Sequence, residues 1–318
     1  MLRKPRDAFG RYAWFVLVYI IGISLTGVLV RVSGSGAGCG RSWPLCYGEV
    51  VPQAAALETI IEFGHRIISG LGFVAVLGLW WWARTRFPKG SEVRGAAGIA
   101  MILMLTETLA GGSLVLFDWV VHDLSWGRVF IMAVHLTNTH LLVAALAVTA
   151  WLASGGAFVC PRDQGTWARD LLAGLGLIWL VSALGAVVAL NEVVHYWEQA
   201  GGLPPEFVGP ARVVRLMLPV HILAALLGGA FLARTARRWG LTRGPLRPWV
   251  QRVLLLYGFQ LLVGALNVLL RFSGWVQMFH LLVGYGLWLG WLFVTLEALR
   301  LGREAVAGER APAPTLGG

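Results

Sequence analysis

The stretch ETIIEFGHR, residues 58–66, opens a long apolar run, yet it sets two glutamates, a histidine and an arginine where lipid penalises all four. At 100° per residue, Glu58, Glu62 and His65 fall on one helical face. What that face looks at decides the reading of the chain. Of 318 residues, 57% are hydrophobic and 13% charged, and mean hydropathy is +0.70; soluble domains carry roughly a quarter charged residues. The sixteen Trp suit interfacial belts. This composition predicts an all-α integral membrane protein, in which the polar face of 58–66 serves a site.

Runs of spanning length, about 20 residues, occur at 12–32, 59–83, 96–117, 129–152, 170–190, 212–233, 249–270 and 276–298. Eight transmembrane helices are therefore expected. The first has a basic flank and is followed by the small-residue run SGSGAG, as in a signal peptide, but its apolar stretch is too long for a signal core. Of the 26 Lys and Arg, nineteen fall on the side of the two termini, six on the other (Arg31, Arg41, Arg128, Arg212, Arg215, Arg271), and Arg66 within a span. Both termini are thus expected in the cytoplasm of a cell-membrane protein. The same asymmetry accounts for the net charge of +10, and no nucleic-acid signal is present.

Cys39 and Cys46 bound an outer loop, CGRSWPLC, while Cys160 is on an inner one, matching an oxidising exterior and a reducing cytosol. The pair can close into a small disulfide loop, either as a staple or as a redox-active couple. The end ERAPAPTLGG reads as a disordered tail, within 301–318.

The chain also repeats itself. ETLAGGSLVL (107–116) in the third span aligns with QLLVGALNVL (260–269) in the seventh, Glu107 over Gln260 and Gly111 over Gly264. VHLTN in the fourth matches FHLLV in the eighth, and GHRII in the second matches VHILA in the sixth. Two pseudo-symmetric four-helix bundles follow, 1–152 and 153–300. His65, His135, His221 and His280 lie one on each even-numbered span, all near the outer end. A lone intramembrane histidine is usually a hydrogen-bonding residue between helices. Four at matched depth, two per half, suggest instead one haem per half held through imidazole. His140, about 140° round the helix from His135, is expected to pack; His122 and His195 are expected to be solvated.

The halves differ. Glu62 stands one turn before His65, where the second half has Leu218 before His221; Arg66 follows the first histidine and Ile222 the second. A structural Glu62–Arg66 pair at i, i+4 is one reading; a functional carboxylate, found only in the amino-terminal half, is the other.

The E-x-x-H-R of 62–66, the upstream CGRSWPLC, VHLTN and the single histidines of the sixth and eighth spans resemble the heme A synthase family over essentially the whole chain. The resemblance implies oxidation of the C8 methyl of heme O to the formyl of heme A, by successive hydroxylations and loss of water, for haem-copper oxidases. It implies that His65 and His135 ligate or flank the substrate haem and His221 and His280 a resident heme b. Glu62 would be the catalytic carboxylate, and Cys39–Cys46 an electron-transfer or shaping element. Arg66, Arg31, Arg128, Arg212, Arg215 and Arg271 are candidates for the propionates. Expected partners are heme O, the lipid bilayer, heme O synthase, a membrane electron acceptor and further copies of the chain. Two features depart from the family pattern: Glu107 stands where an amide is usual, and the loop 191–210 lacks the cysteine pair that some members have. A di-haem cytochrome b that only carries electrons is the competing class; a haem transporter and an ion channel fit less well.

Overall fold

The computed structural model describes residues 7–53, 56–158 and 161–302. Arg3, Lys4, Arg6, Cys160, the side chain of Arg162 and the tail 303–318 lie outside the described residues. The helices are α1 (Ala8–Val32), α2 (Leu57–Arg86), α3 (Glu92–Leu116), α4 (Trp126–Ala153), α5 (Thr166–Val188), α6 (Asn191–Gln199), α7 (Val208–Arg238), α8 (Arg247–Leu269) and α9 (Gly274–Leu301). Among the described residues, eight helices are long and apolar enough to cross a membrane, so this is a multi-pass membrane protein. Helix is the form such sequences take in lipid, because it satisfies every backbone N–H and C=O internally.

The long helices extend beyond the expected spans where the apolar run gives way to arginines. Arg84 and Arg86 end α2, and Arg237 and Arg238 end α7. Basic side chains favour a helix C-terminus, and their stems cover apolar surface while the charge reaches water. The short α6 is the element that span-reading leaves in a loop. Its sequence NEVVHYWEQ buries Val193 and Val194, which pack with Leu190, Ala211 and Val214.

An even number of spans puts both ends of the described chain on one face, the termini face; the loop of Cys39 and Cys46 lies on the other, the disulfide face. Packing is uneven between them. The large apolar core is built from 9–20 of α1, 76–83 of α2, 97–104 of α3, 142–152 of α4, 167–178 of α5, 232–236 of α7, 250–257 of α8 and 285–299 of α9. Every one of those stretches is at the termini face. The small cluster under α6 closes the opposite end. All four span histidines lie between cap and core. In α9, 56% of the most apolar window is buried, against 17% in α2, α7 and α8; α9 is therefore the central helix, touching α1, α4, α5 and α8.

The two sets of four helices are bracketed at the disulfide face. Arg31 of α1 pairs with Glu192 of α6 and donates to Gln277 of α9 at 2.7 Å, and Gln277 donates to Glu192 at 2.8 Å.

Candidate functional site

The loop before α2 is pressed onto the helix start. Thr59 donates to the Gly38 carbonyl at 2.7 Å, and a Cβ at Gly38 would lie 2.4 Å from the Glu58 carbonyl oxygen. Only glycine permits that approach. A disulfide joins Cys39 to Cys46. Directly beneath, Glu62 is 3% exposed. Its Oε2 accepts the Cys39 N–H at 2.8 Å, and its Oε1 accepts Arg66 Nε at 3.1 Å and Nη2. Arg66 Nη1 donates to the carbonyls of Ser42 and Leu45. The face of 58–66 thus divides: Glu58 is exposed, Glu62 looks at the underside of the disulfide loop, and His65 looks at α1. Arg66 ties carboxylate and loop together, so the i, i+4 pair is present and does more than brace one helix.

Each span histidine meets a glycine on the preceding long helix. A Cβ at Gly27 of α1 would lie 3.3 Å from His65, at Gly111 of α3 3.7 Å from His135, at Gly185 of α5 3.2 Å from His221, and at Gly264 of α8 3.2 Å from His280. His65 and His135 are within electrostatic reach of each other, as are His221 and His280. The imidazoles therefore come in twos, each ring lying against a backbone that carries no Cβ.

Hydrogen bonds decide which nitrogen each ring offers. Thr26 gives its one hydroxyl proton to the Ile23 carbonyl at 2.7 Å, so toward His65 Nδ1, 2.9 Å away, it can only accept. His65 must then carry its proton on Nδ1 and a lone pair on Nε2. His221 Nδ1 lies 3.0 Å from the Val181 carbonyl, which likewise only accepts. His135 Nδ1 sits 3.3 Å from Glu107 Oε1, an ion-pair approach without hydrogen-bond geometry. Glu107 also accepts from Thr139 and, at 2.6 Å, from Asn138. In His65 and His221 the bond at Nδ1 leaves the free lone pair on Nε2, the arrangement by which second-shell groups prepare histidine for a metal, and Glu107 stands on the same side of His135.

His280 differs. Its Nε2 accepts from Gln260 Nε2 at 3.2 Å, while His280 Nδ1 and Gln260 Oε1 are buried without partners. Here the amide sits on Nε2, the nitrogen that is free in the other rings, and its nitrogen also donates to the His280 carbonyl at 3.0 Å.

These features fit haem. Among the described residues no group of three or more His, Cys, Asp or Glu could hold a bare ion, whereas haem iron needs only one or two axial imidazoles. The His135 side chain is 30% exposed, so its ring is not sealed by its neighbours. His140 has none: 1% exposed, it packs on Tyr285 and Trp288, and its carbonyl accepts Trp288 Nε1 at 2.9 Å. Its expected packing role is what the structure displays.

Of the outer arginines, Arg31 is spent in the bracket, Arg128 is 2% exposed and donates to the carbonyls of Val121 and Asp123, and Arg215 pairs with Glu198. Arg212 and Arg271 are exposed and have no ion-pair partner among the described residues. His122, outside the spans, has its pKa lowered by burial and then by the Arg128 charge, and its ring stacks on Tyr196. His195 bonds Glu198 at 3.0 Å. Sequence reasoning missed Thr26, Gly27, Gly185, Asn138 and Thr139. The glycines follow the repeat, one per odd-numbered span; nothing in the sequence marks Thr26 among so many polar residues.

Residues 10–294 match the COX15-CtaA family model, described as cytochrome oxidase assembly protein. Over 302 residues, 93% of the chain, 41% are identical to a Thermus thermophilus protein named protoheme IX farnesyltransferase, covering 49% of it. A protein named heme A synthase from Exiguobacterium sibiricum is 30% identical over 183 residues, 57% of each chain. Another of that name, from Alkalihalophilus pseudofirmus, is 39% identical over 108 residues, 33% of this chain and 36% of the relative. The chain spans about half the length of the curated relatives it matches.

Proposed function

The chain belongs to the COX15-CtaA family of cytochrome oxidase assembly proteins, and from that premise we propose that it is a heme A synthase, an oxidoreductase that converts the C8 methyl of heme O to a formyl group. The observation that carries the reading is the set of four imidazoles, each beside a glycine, of which two are locked by hydrogen bonds at Nδ1 with Nε2 free. His65 and His135 hold the substrate haem in the amino-terminal half, 1–152, and His221 and His280 hold a resident heme b in the carboxy-terminal half, 153–300. The glycine–histidine apposition in α1/α2, α3/α4, α5/α7 and α8/α9 supports a pseudo-symmetric pair of four-helix bundles. When bound, heme b supplies one-electron transfer.

The remaining work falls to side chains. Each hydroxylation passes two electrons from the methyl to the membrane electron acceptor and two protons to solvent as a water oxygen bonds to the carbon. Positive charge develops there, and a fixed carboxylate in a dry pocket stabilises it far better than water does. Glu62 takes this role. Its bonds to Cys39 and Arg66 hold it in place, and the closed loop shields it from water. Arg66 is a positioning residue rather than a propionate ligand, because its donors are directed at Glu62 and the loop. Arg212 and Arg271 take the propionates. The excess of Arg and Lys on the termini side supports cytoplasmic ends and a site toward the outer face.

Farnesyl transfer to protohaem, the reaction in the Thermus relative's name, is the kind that yields a farnesylated substrate. That relative therefore supports heme O synthase as a partner.

Co-expression with a heme O producer, followed by chromatography of extracted haems, tests the proposal. Heme A should appear with the intact chain and vanish with His135→Ala. Bound haem with heme O left unconverted would overturn the synthase reading in favour of an electron-carrying cytochrome b.

A further inference from the structure

Glu107 and Gln260 occupy the same place in the two halves. Each stands one turn before a glycine, Gly111 or Gly264, that passes beside a histidine of the next helix, and each reaches that histidine. One is a carboxyl group and the other an amide. Among the described residues the Glu107 carboxyl oxygens meet the Asn138 amide donor at 2.6 Å, the Thr139 hydroxyl and, at 3.3 Å, His135 Nδ1. An amide donor on one oxygen and an imidazole beside the other suit a carboxylate. Asn138 is itself held, because it also donates to the Leu103 carbonyl at 2.9 Å, while the one Thr139 proton is shared between Glu107 and the His135 carbonyl. Gln260 uses one amide nitrogen for both of its contacts, donating to the His280 carbonyl at 3.0 Å and to the ring Nε2 at 3.2 Å, so it brings its ring a neutral group and no charge.

An anion on the outer nitrogen of a ligating imidazole makes the inner nitrogen a stronger electron donor, and such second-shell groups set the potential of the metal. Resting on the assignment of His135 and His280 as haem ligands, we infer that Glu107 and Gln260 are positioning residues that give the two sites different electron affinities, with Glu107 biasing the haem on His135 toward the ferric state. The repeat supplies two equal frames, and one exchange of an amide for a carboxylate makes them unequal. The electronic difference between the sites therefore resides in α3 and α8 as well as in Glu62.

The test uses the full chain in lipid nanodiscs, loaded with protohaem and titrated spectroelectrochemically, with His135→Ala and His280→Ala assigning each wave to its site. Glu107→Gln should raise the potential of the His135 wave by a tenfold change in the ferric-to-ferrous ratio, about 59 mV for one electron, and weaken the iron–imidazole stretch in resonance Raman spectra. Gln260→Glu should lower the His280 wave and leave the other in place, so the proposal stays exposed even where Glu107→Gln folds poorly. A His135-dependent wave unmoved by Glu107→Gln, with the His280 wave unmoved by Gln260→Glu, overturns this inference alone. Haem waves indifferent to His135→Ala and His280→Ala overturn the ligand assignment with it.

Discussion

The first four long helices and the last four use one frame to different ends. In each, a glycine on an odd-numbered span opens space for an imidazole on the next. The first half then surrounds its imidazoles with side chains: Thr26 on His65, Glu107 on His135, and Glu62, Arg66 and the disulfide loop close by. The second half uses a backbone carbonyl on His221, an amide on His280, and Leu218 in place of the carboxylate. A group held by backbone is fixed wherever the helix is; one held by side chains is tunable and costly to keep in lipid. The half expected to do chemistry carries that cost.

The largest effect should come from the feature that lacks a counterpart. Glu62→Gln removes the anion but keeps the shape, and loss of one such electrostatic stabiliser lowers turnover by about a hundredfold to a thousandfold. Haem content should stay normal while extracted heme A falls and heme O rises. Undiminished heme A from this variant would erase the distinction between the halves.

The shared frame can be probed next. Gly185→Leu and Gly264→Leu drive side-chain atoms against His221 and His280, where even a Cβ would lie at 3.2 Å. Each should weaken haem binding by about tenfold or more, the equivalent of ~1.4 kcal/mol. Gly111→Ala should be nearly silent, since its Cβ makes an ordinary contact at 3.7 Å. Haemochrome content of the purified variants measures all three; equal losses would show that the glycines serve helix contact rather than the rings.

The frame was largely legible in sequence and its lining was not, for a physical reason. Spans are set by apolar length, so the runs 59–83 and 276–298 mark the helices Leu57–Arg86 and Gly274–Leu301 to within a few residues. Histidine and glutamate are rare enough in lipid to stand out singly, as Glu62 and His65 do, and Cys39 and Cys46 stand out as a close pair in one loop. What a carboxylate faces depends on a loop folding back over it, and E-x-x-H-R does not encode the Cys39 N–H or the Ser42 carbonyl. α6 was missed because an amphipathic nine-residue helix has no spanning signal, although Val193 and Val194 marked its buried side. Thr26 is one hydroxyl among many until Ile23 and His65 are seen on either side of it.

The joint between the halves offers a smaller effect. Arg31→Ala leaves Glu192 and Gln277 short of a donor in a bracket only 12% and 20% exposed at its ion pair. It should lower stability by about 1–3 kcal/mol, read as a drop in the thermal midpoint in detergent. Arg41→Ala breaks a pair 72% and 46% exposed and should change the midpoint little. Equal shifts in the two variants would mean that the bracket does not join the halves.

The smallest expected effect bears most directly on side-chain against backbone control. Thr26→Val keeps the volume near His65 but removes the acceptor that fixes its proton on Nδ1. One neutral hydrogen bond is worth about 1 kcal/mol, roughly a fivefold change. Turnover of heme O should fall by that much, and Thr26→Ser, which restores the hydroxyl, should recover it. No such variant exists for His221, because the Val181 carbonyl is present whatever side chain stands there. If Thr26→Val and Thr26→Ser behave alike, helix packing alone orients His65, and the amino-terminal site is as much a product of backbone as its partner.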